Sequence, residues 1–264
     1  LFSLIGNDNN ANILIDVLQK KNIETSYILY SDTRPTTTKT RIICGSQHAL
    51  RVDEEICDYI SQSETQLLID AFCSFIEKEH IDALVFEDYD KGVLTPELIK
   101  IITQICNNKK IPIAVDPKKK QFLNYEHVQL FKPNFKELCE GLKLTLQKNE
   151  IPALIEHCQE YRKQKNIEQL MVTLSEYGII ICTRNETLHI PANIRKIADV
   201  SGAGDTVLSV AVLCITANAT NYETAYLSNL AGGLVCEEVG VVSITAEKLL
   251  QNIQNIELQN IKTY

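Results

Sequence analysis

The stretch Asp199-Val200-Ser201-Gly202-Ala203-Gly204-Asp205 sets two glycines and a carboxylate directly before a long apolar segment, Thr206 to Ala219. Such a pattern opens a helix. Gly202 and Gly204 can take backbone angles closed to other residues, so their N–H groups can converge on an anion. A helix N-terminus adds free donors and the positive end of the dipole. That pole favours the ionised form of Asp205, which can then accept a proton from an alcohol. An anion cradle beside a base is what phosphoryl transfer to a hydroxyl requires. The tetrapeptide Gly-Ala-Gly-Asp alone also reads as an ordinary strand-to-helix turn with Asp as N-cap.

Further polar groups stand where apolar runs end. Glu87-Asp88-Tyr89-Asp90-Lys91-Gly92 follows one such run, and Asp116-Pro117-Lys118 follows the next. Leu130-Phe131-Lys132 leads into Pro133-Asn134-Phe135-Lys136-Glu137, where Asn134 and Glu137, three apart, share a helical face. A capping arrangement explains that spacing as well as a ligand does. Gln169 to Leu174 reads as a buried strand that Ser175-Glu176-Tyr177-Gly178 turns back into Ile179 to Cys182. β-Branched residues on either side of Gly45-Ser46-Gln47 predict a hairpin over about 34–53. Its alternation puts Lys39 and Arg41 on one face and Thr38, Thr40 and Ile42 on the other. This is either a solvated edge guarded by positive charge or a lid over an anionic ligand.

The elements that must position these groups alternate. A strand over Leu1 to Ile5 precedes a helix from about Ala11 to Lys20. From Leu67 onward come a helix to about Lys78, a strand Ala83 to Phe86, a helix Pro96 to Cys106 and a strand Ile113 to Asp116. Helices over Tyr222 to Cys236 and Ala246 to about Ile256 follow the one that opens near Asp205. Strand and helix in alternation predict an α/β fold with a parallel sheet covered on both faces. In such sheets the ligand lies beyond the C-terminal strand ends, where the polar groups above are found.

A chain of 264 residues with 45% hydrophobic content fits one large α/β domain or two small ones. Its formal net charge of -8 argues against general nucleic-acid affinity. Nine cysteines, with no C-x-x-C pair and mostly inside apolar runs, read as buried thiols of a reducing compartment. Apolar runs fall short of the ~18 residues of a spanning helix and no signal segment is recognisable, so the expected location is cytoplasmic and off the membrane. The Asn-x-Thr sequons at Asn185 and Asn218 are then chance matches.

Asp-Val-Ser-Gly-Ala-Gly-Asp resembles the C-terminal signature of the ribokinase-like (PfkB) sugar kinases, usually Asp-Thr/Val-Thr-Gly-Ala-Gly-Asp. Arg34-Pro35-Thr36-Thr37-Thr38-Lys39-Thr40-Arg41, Glu87 to Thr95 and Asp116-Pro117-Lys118 resemble segments of the bacterial heptose 7-phosphate kinases within that family. Those kinases usually have Ser where Glu87 stands and Gly where Asp90 stands. The resemblance implies a ribokinase-like three-layer sandwich over residues 1–264, with a mostly parallel sheet and a small β-lid. It implies Asp205 as catalytic base, with Gly202, Ala203 and Gly204 holding the phosphoryl group. Lys39, Arg41, Asp88, Lys91 and Lys118 fall at sugar-phosphate positions, and Asn134, Thr173, Gly178, Gly202, Gly204 and Asn229 at nucleotide positions. Asn134 and Glu137 match the motif tied indirectly to Mg²⁺, and Asp199 with Ser243 a monovalent-cation loop for K⁺.

The implied reaction transfers phosphate from ATP to the C1 hydroxyl of D-glycero-β-D-manno-heptose 7-phosphate, a step toward lipopolysaccharide precursors, by a homodimer joined through the lid. Another PfkB sugar kinase, or a non-catalytic sugar- or nucleotide-binding relative, is the alternative. A segment like Gly6-Asn7-Asp8 lies about fifty residues into the family's fold, so either the first strands and a sugar-binding segment are expected to be missing here, or the protein departs from the family where the sugar is held. Some relatives carry a fused nucleotidyltransferase, which is not expected within these 264 residues.

Overall fold

The computed structural model describes residues 1–44, 47–192, 196–253 and 262–263. It divides into two compact units, Leu1–His80 with Tyr89–Ile102, and Ile81–Asp88 with Thr103–Tyr264.

In the first unit, β1 (Ser3–Gly6) and β2 (Ile28–Ser31) pair in parallel, joined by α1 (Asn9–Lys20). Asp8 caps α1, accepting the Ala11 amide at 2.9 Å, so the helix begins two residues before the expected Ala11. Ile5, Ala11 and Ile28 form a small core under Leu14, Ile15 and Leu18. The expected hairpin is present as β3 (Thr38–Cys44) and β4 (Gln47–Glu54), with a bulge between Ile42 and Ile43; Gly45 and Ser46 of its turn lie outside the described residues. Helix α2 spans Gln62–Ile76 and starts five residues before the expected Leu67, because Ser61 and Glu64 form a capping box. Phe2 stacks on Tyr27 at 4.9 Å and meets Phe72 and Phe75 of α2 edge-on, tying β1 to that helix.

The second unit carries a seven-stranded sheet. In chain order its strands are β5 (Leu84–Glu87), β6 (Ile113–Asp116), β7 (Leu130–Phe131), β8 (Gln169–Thr173), β9 (Ile179–Cys182), β10 (Thr187–Ile190) and β11 (Lys262–Thr263). Neighbours follow that order across the sheet. Pairings from β5 to β8 are parallel and the rest antiparallel. β11 corrects the reading of the tail as a closing helix alone; residues 254–256 of that helix lie outside the described residues.

Helices α3 (Pro96–Asn108), α4 (Phe135–Leu142), α5 (Ile151–Gln164), α6 (Ala203–Thr216), α7 (Asn221–Val235) and α8 (Ala246–Ile253) complete the chain. One sheet face, with Met171, Ile179, Ile181 and Ile190, packs on Val207, Leu208 and Ala211 of α6 and Ala225 of α7. The alternate residues Leu170, Val172, Ile180 and Cys182 are equally buried, and α5 lies against β8 and β9. Burial on both faces explains why these strands read as continuous apolar runs.

Among the described residues Cys73, Cys106, Cys139, Cys158, Cys182, Cys214 and Cys236 are free thiols. No helix among them is long and apolar enough to cross a membrane.

Candidate active site

Helix α6 begins as its sequence requires. Its N-cap is Gly202 at φ +79°, a left-handed conformation that a residue with a side chain adopts only under strain. Asp205 is therefore not the cap but an exposed residue of the first turn. Gly204 departs from expectation, since it is not among the positive-φ residues; a Cβ there would stand 3.7 Å from the Lys132 Nζ. The Ala203 amide is engaged, donating to the Val200 carbonyl at 3.3 Å. Those of Gly204 and Asp205 lie in the first turn, where a helix has no acceptor of its own to offer. Asp199 shapes the approach by accepting the Ser201 amide at 2.9 Å and the Gly240 amide at 3.1 Å. Hydrogen bonding from Ser201, then Gly240, holds the Asp199 carboxyl below the usual range. No described contact joins the exposed Ser243 to Asp199.

At the C-terminal ends of the parallel strands a charged cluster faces this turn. Glu87 ends β5, Asp116 ends β6, and carboxylate oxygens of these two and Asp205 lie within 4.8 Å of one another. Lys132, just past β7, is 2% exposed and sets its Nζ 3.3 Å from Asp116. Lys118 reaches Asp116 at 3.4 Å and Glu137 at 2.5 Å. Burial disfavours the Lys118 charge, yet Asp116 and Glu137 together hold its pKa above the ordinary lysine value. Burial, then the charges of Asp116 and Asp205, push Glu87 up to about 7.

Asn134 and Glu137 make both bonds of a capping box on α4: the Asn134 side chain accepts the Glu137 amide at 2.9 Å, and Glu137 accepts the Asn134 amide at 2.8 Å. Asn134 also forms an isolated parallel bridge with Thr173. Gly178, at φ +86°, lets the backbone of Ile190 to Ala192 approach, where a Cβ would come within 2.0 Å of the Ile190 carbonyl. Asn229 donates to the neighbouring Pro191 carbonyl at 2.9 Å, so Gly178 and Asn229 gather on one backbone segment.

Asp88 is 3% exposed and accepts the Tyr125 hydroxyl at 3.0 Å. In the first unit, Lys39 and Lys91 are both bound to Glu55, at 2.9 and 2.6 Å, and Lys39 also to Asp53. Arg51 also binds Asp53, at 2.6 Å, so these two carboxylates are shared among three cations. Arg41, exposed, stands opposite Arg51 across the hairpin on the Lys39 face. Arg34 clamps the Ile56 and Lys91 carbonyls at 2.7 and 2.6 Å, and Asp90 takes the left-handed conformation, φ +56°, otherwise typical of Gly.

A family model described as pfkB family carbohydrate kinase matches residues 1–248. The chain belongs to the pfkB family of carbohydrate kinases. Its fold is accordingly ribokinase-like. Phosphofructokinase-2 from Escherichia coli, in a complex with potassium, superimposes with TM-score 0.77 at 16% identity, over 94% of this chain and 79% of that one. Ribokinase from Thermotoga maritima gives 0.67 at 14% identity, over 96% and 80%. "Bifunctional protein HldE" of Sulfurimonas denitrificans is 32% identical over 246 residues, 93% of this chain and 50% of that protein. The chain spans about half the length of the curated relatives it matches. Membership in this family of kinases implies ATP, a divalent metal and a sugar acceptor.

Three members of the charged cluster were not among the expected site residues: Glu87, Asp116 and Lys132. Their signal was positional, since each stands at or just beyond the end of a parallel strand. Lys132 carried one more clue, a cation ending an apolar run that must be buried.

Proposed function

We propose that this pfkB family chain transfers the γ-phosphoryl group of ATP to the C1 hydroxyl of D-glycero-β-D-manno-heptose 7-phosphate. One observation carries the reading: Asp205 stands in the first turn of α6, behind the left-handed Gly202 and beside the Asp116–Lys132 pair. In this reading Asp205 takes the proton of the attacking hydroxyl, and the first-turn amides of Gly204 and Asp205 receive the phosphoryl oxygens, the Ala203 amide being engaged by Val200. Lys132 and Lys118 offset negative charge gathered at the strand ends. Asn134, Thr173, Gly178 and Asn229 belong to the nucleotide side, where Gly178 and Asn229 act by fixing the backbone near Pro191. Magnesium bound with the nucleotide supplies charge neutralisation on the phosphates. Both oxygens of Glu137 already have partners, so Asn134 and Glu137 fit a water-mediated role toward that ion. Potassium at the Asp199–Gly240 loop and, on the sugar side, Lys39, Arg41, Asp88, Lys91 and Lys118 complete the assignment.

Heptose phosphate is favoured over other sugars by the Arg34 to Arg41 and Asp88 to Lys91 patterns. A second copy of the chain fits the hairpin, where Ile42, Leu50 and Val52 share one exposed face. The cytoplasm is the compartment that supplies ATP for this reaction.

A coupled ADP-release assay with heptose 7-phosphate, unphosphorylated heptose and fructose 6-phosphate, with the product identified by ³¹P NMR, tests the reading. The 1,7-bisphosphate should form fastest. Equal turnover of plain heptose, or none of any sugar phosphate, overturns the heptose assignment. ATP binding by calorimetry without any turnover identifies a non-catalytic binding relative instead.

A further inference from the structure

The three carboxylates at the strand ends differ in what supports their charge. Asp116 receives Lys132 and Lys118, at 3.3 and 3.4 Å. Asp205 stands at the positive end of α6. Glu87, half-buried, has no hydrogen bond or ion pair among the described residues, although its carboxylate lies within 4.8 Å of both others. With Glu137, which shares Lys118, four carboxylates (Glu87, Asp116, Asp205, Glu137) face two ammonium groups (Lys118, Lys132). Fully ionised, the cluster carries two unmatched negative charges, and the burial of Asp116 and half-burial of Glu87 strengthen the repulsion between those two, while Asp205 is exposed. One added proton halves that excess, and Glu87 is the member whose charge Lys118 and Lys132 support only at a distance, with no hydrogen bond or ion pair among the described residues. Glu87 is also where the segment departs from the pattern it otherwise resembles.

We propose that Glu87 is a positioning residue for phosphoryl transfer, whose neutral form admits an anionic phosphate beside Asp205 and whose ionised form turns that phosphate away. The proposal rests on the reading of Asp205 and the α6 turn as the transfer site. The groups that face Glu87 are Asp116 on β6, Asp205 on α6, and Lys118 and Lys132 beyond β6 and β7. Burial first, then the two carboxylates, raise its pKa to about 7, and the lysines only partly oppose them. The change of charge that the proposal requires therefore falls near neutral pH.

Calorimetric affinity for ATP with magnesium, measured from pH 6 to 8.5 on wild type and Glu87→Gln, tests it without requiring turnover. Wild-type affinity should weaken about tenfold per unit above the ionisation, once the change in ATP's own charge is subtracted. Glu87→Gln, neutral throughout, should match wild type at pH 6 within about twofold and show no such loss. A decline of equal size in Glu87→Gln overturns the proposal. Carboxyl ¹³C NMR gives a second readout: a glutamate resonance titrating near neutrality should vanish in Glu87→Gln and move to lower pH in Asp205→Asn, which removes a neighbouring charge. Absence of that resonance, or no movement in Asp205→Asn, also overturns it. Glu87→Ser serves if Glu87→Gln does not fold. Lack of sugar turnover in every form, with both readouts as expected, counts against the kinase reading and leaves the charge switch standing.

Discussion

The ammonium of Lys132 lies 3.3 Å from Asp116, and the two side chains are 2% and 5% exposed. An ion pair this deep is held only when each partner is present, because either charge alone is stranded in a medium that solvates it poorly. Lys132→Met should therefore cost stability on the order of 3 kcal/mol, read as a lower denaturant midpoint, with Lys118 limiting the damage. Lys132→Arg keeps the charge and should lose less. A Lys132→Met protein as stable as wild type would show that Asp116 is satisfied by Lys118 alone.

Asp205→Asn should keep ATP affinity within a few-fold and lose turnover by about 10²-fold or more, the scale of a positioned general base. The coupled ADP assay beside calorimetry separates the two quantities. Near-normal turnover in the folded variant removes Asp205 from the role of base.

Glu87 also makes stability depend on pH, with a sign opposite to that of a salt-bridged carboxylate. Its pKa rises from the ordinary 4.5 to about 7 on folding, so between those values the folded chain holds a proton that the unfolded chain lacks. The stability from this group is full below about 4.5 and is lost as pH rises through about 7. Glu87→Gln should consequently gain Tm relative to wild type as pH goes from 5 to 8. An effect on the order of 1 kcal/mol, discounted for residual exposure, corresponds to roughly 2–4 °C. A Tm difference that does not grow with pH contradicts the ionisation assigned to Glu87.

Glu55 sits between Lys39 and Lys91 and binds both. Glu55→Gln leaves them with less opposing charge, so if they receive the phosphate of the sugar, KM for sugar phosphate should fall about threefold or more at low salt and less at high salt. KM for the unphosphorylated sugar should not change. Equal changes for the two sugars would place Lys39 and Lys91 in the architecture of the hairpin only.

Gly178→Ala brings a Cβ against the Ile190 carbonyl and forces φ +86° on a residue with a side chain. A loss of about 1–3 kcal/mol is expected from that backbone strain, with KM for ATP changed little in what remains folded. A KM for ATP raised tenfold with unaltered stability would instead make Gly178 a direct nucleotide contact.

Elements that depend on near neighbours could be read from the sequence. The Gly202 helix start, the Asn134–Glu137 capping box and the hairpin faces of Lys39 and Arg41 follow from local backbone preference, cap chemistry and the two-residue period of a strand. Even the early start of α2 was legible, in Ser61 and Glu64, though the apolar pattern alone does not reveal it. The charged cluster was not legible. Glu87, Asp116, Lys132 and Asp205 are brought together because β5, β6 and β7 are neighbours in parallel and α6 starts at their C-terminal ends, and adjacency of strands is set by the packing of the whole sheet. The same holds for Glu55, which binds both Lys39 and Lys91, the lysines that the resemblance sets at sugar-phosphate positions. Sequence decided which residues carry charge; only the tertiary structure decided which charges stand close together and how far each is buried, and those two quantities set how readily a carboxylate ionises.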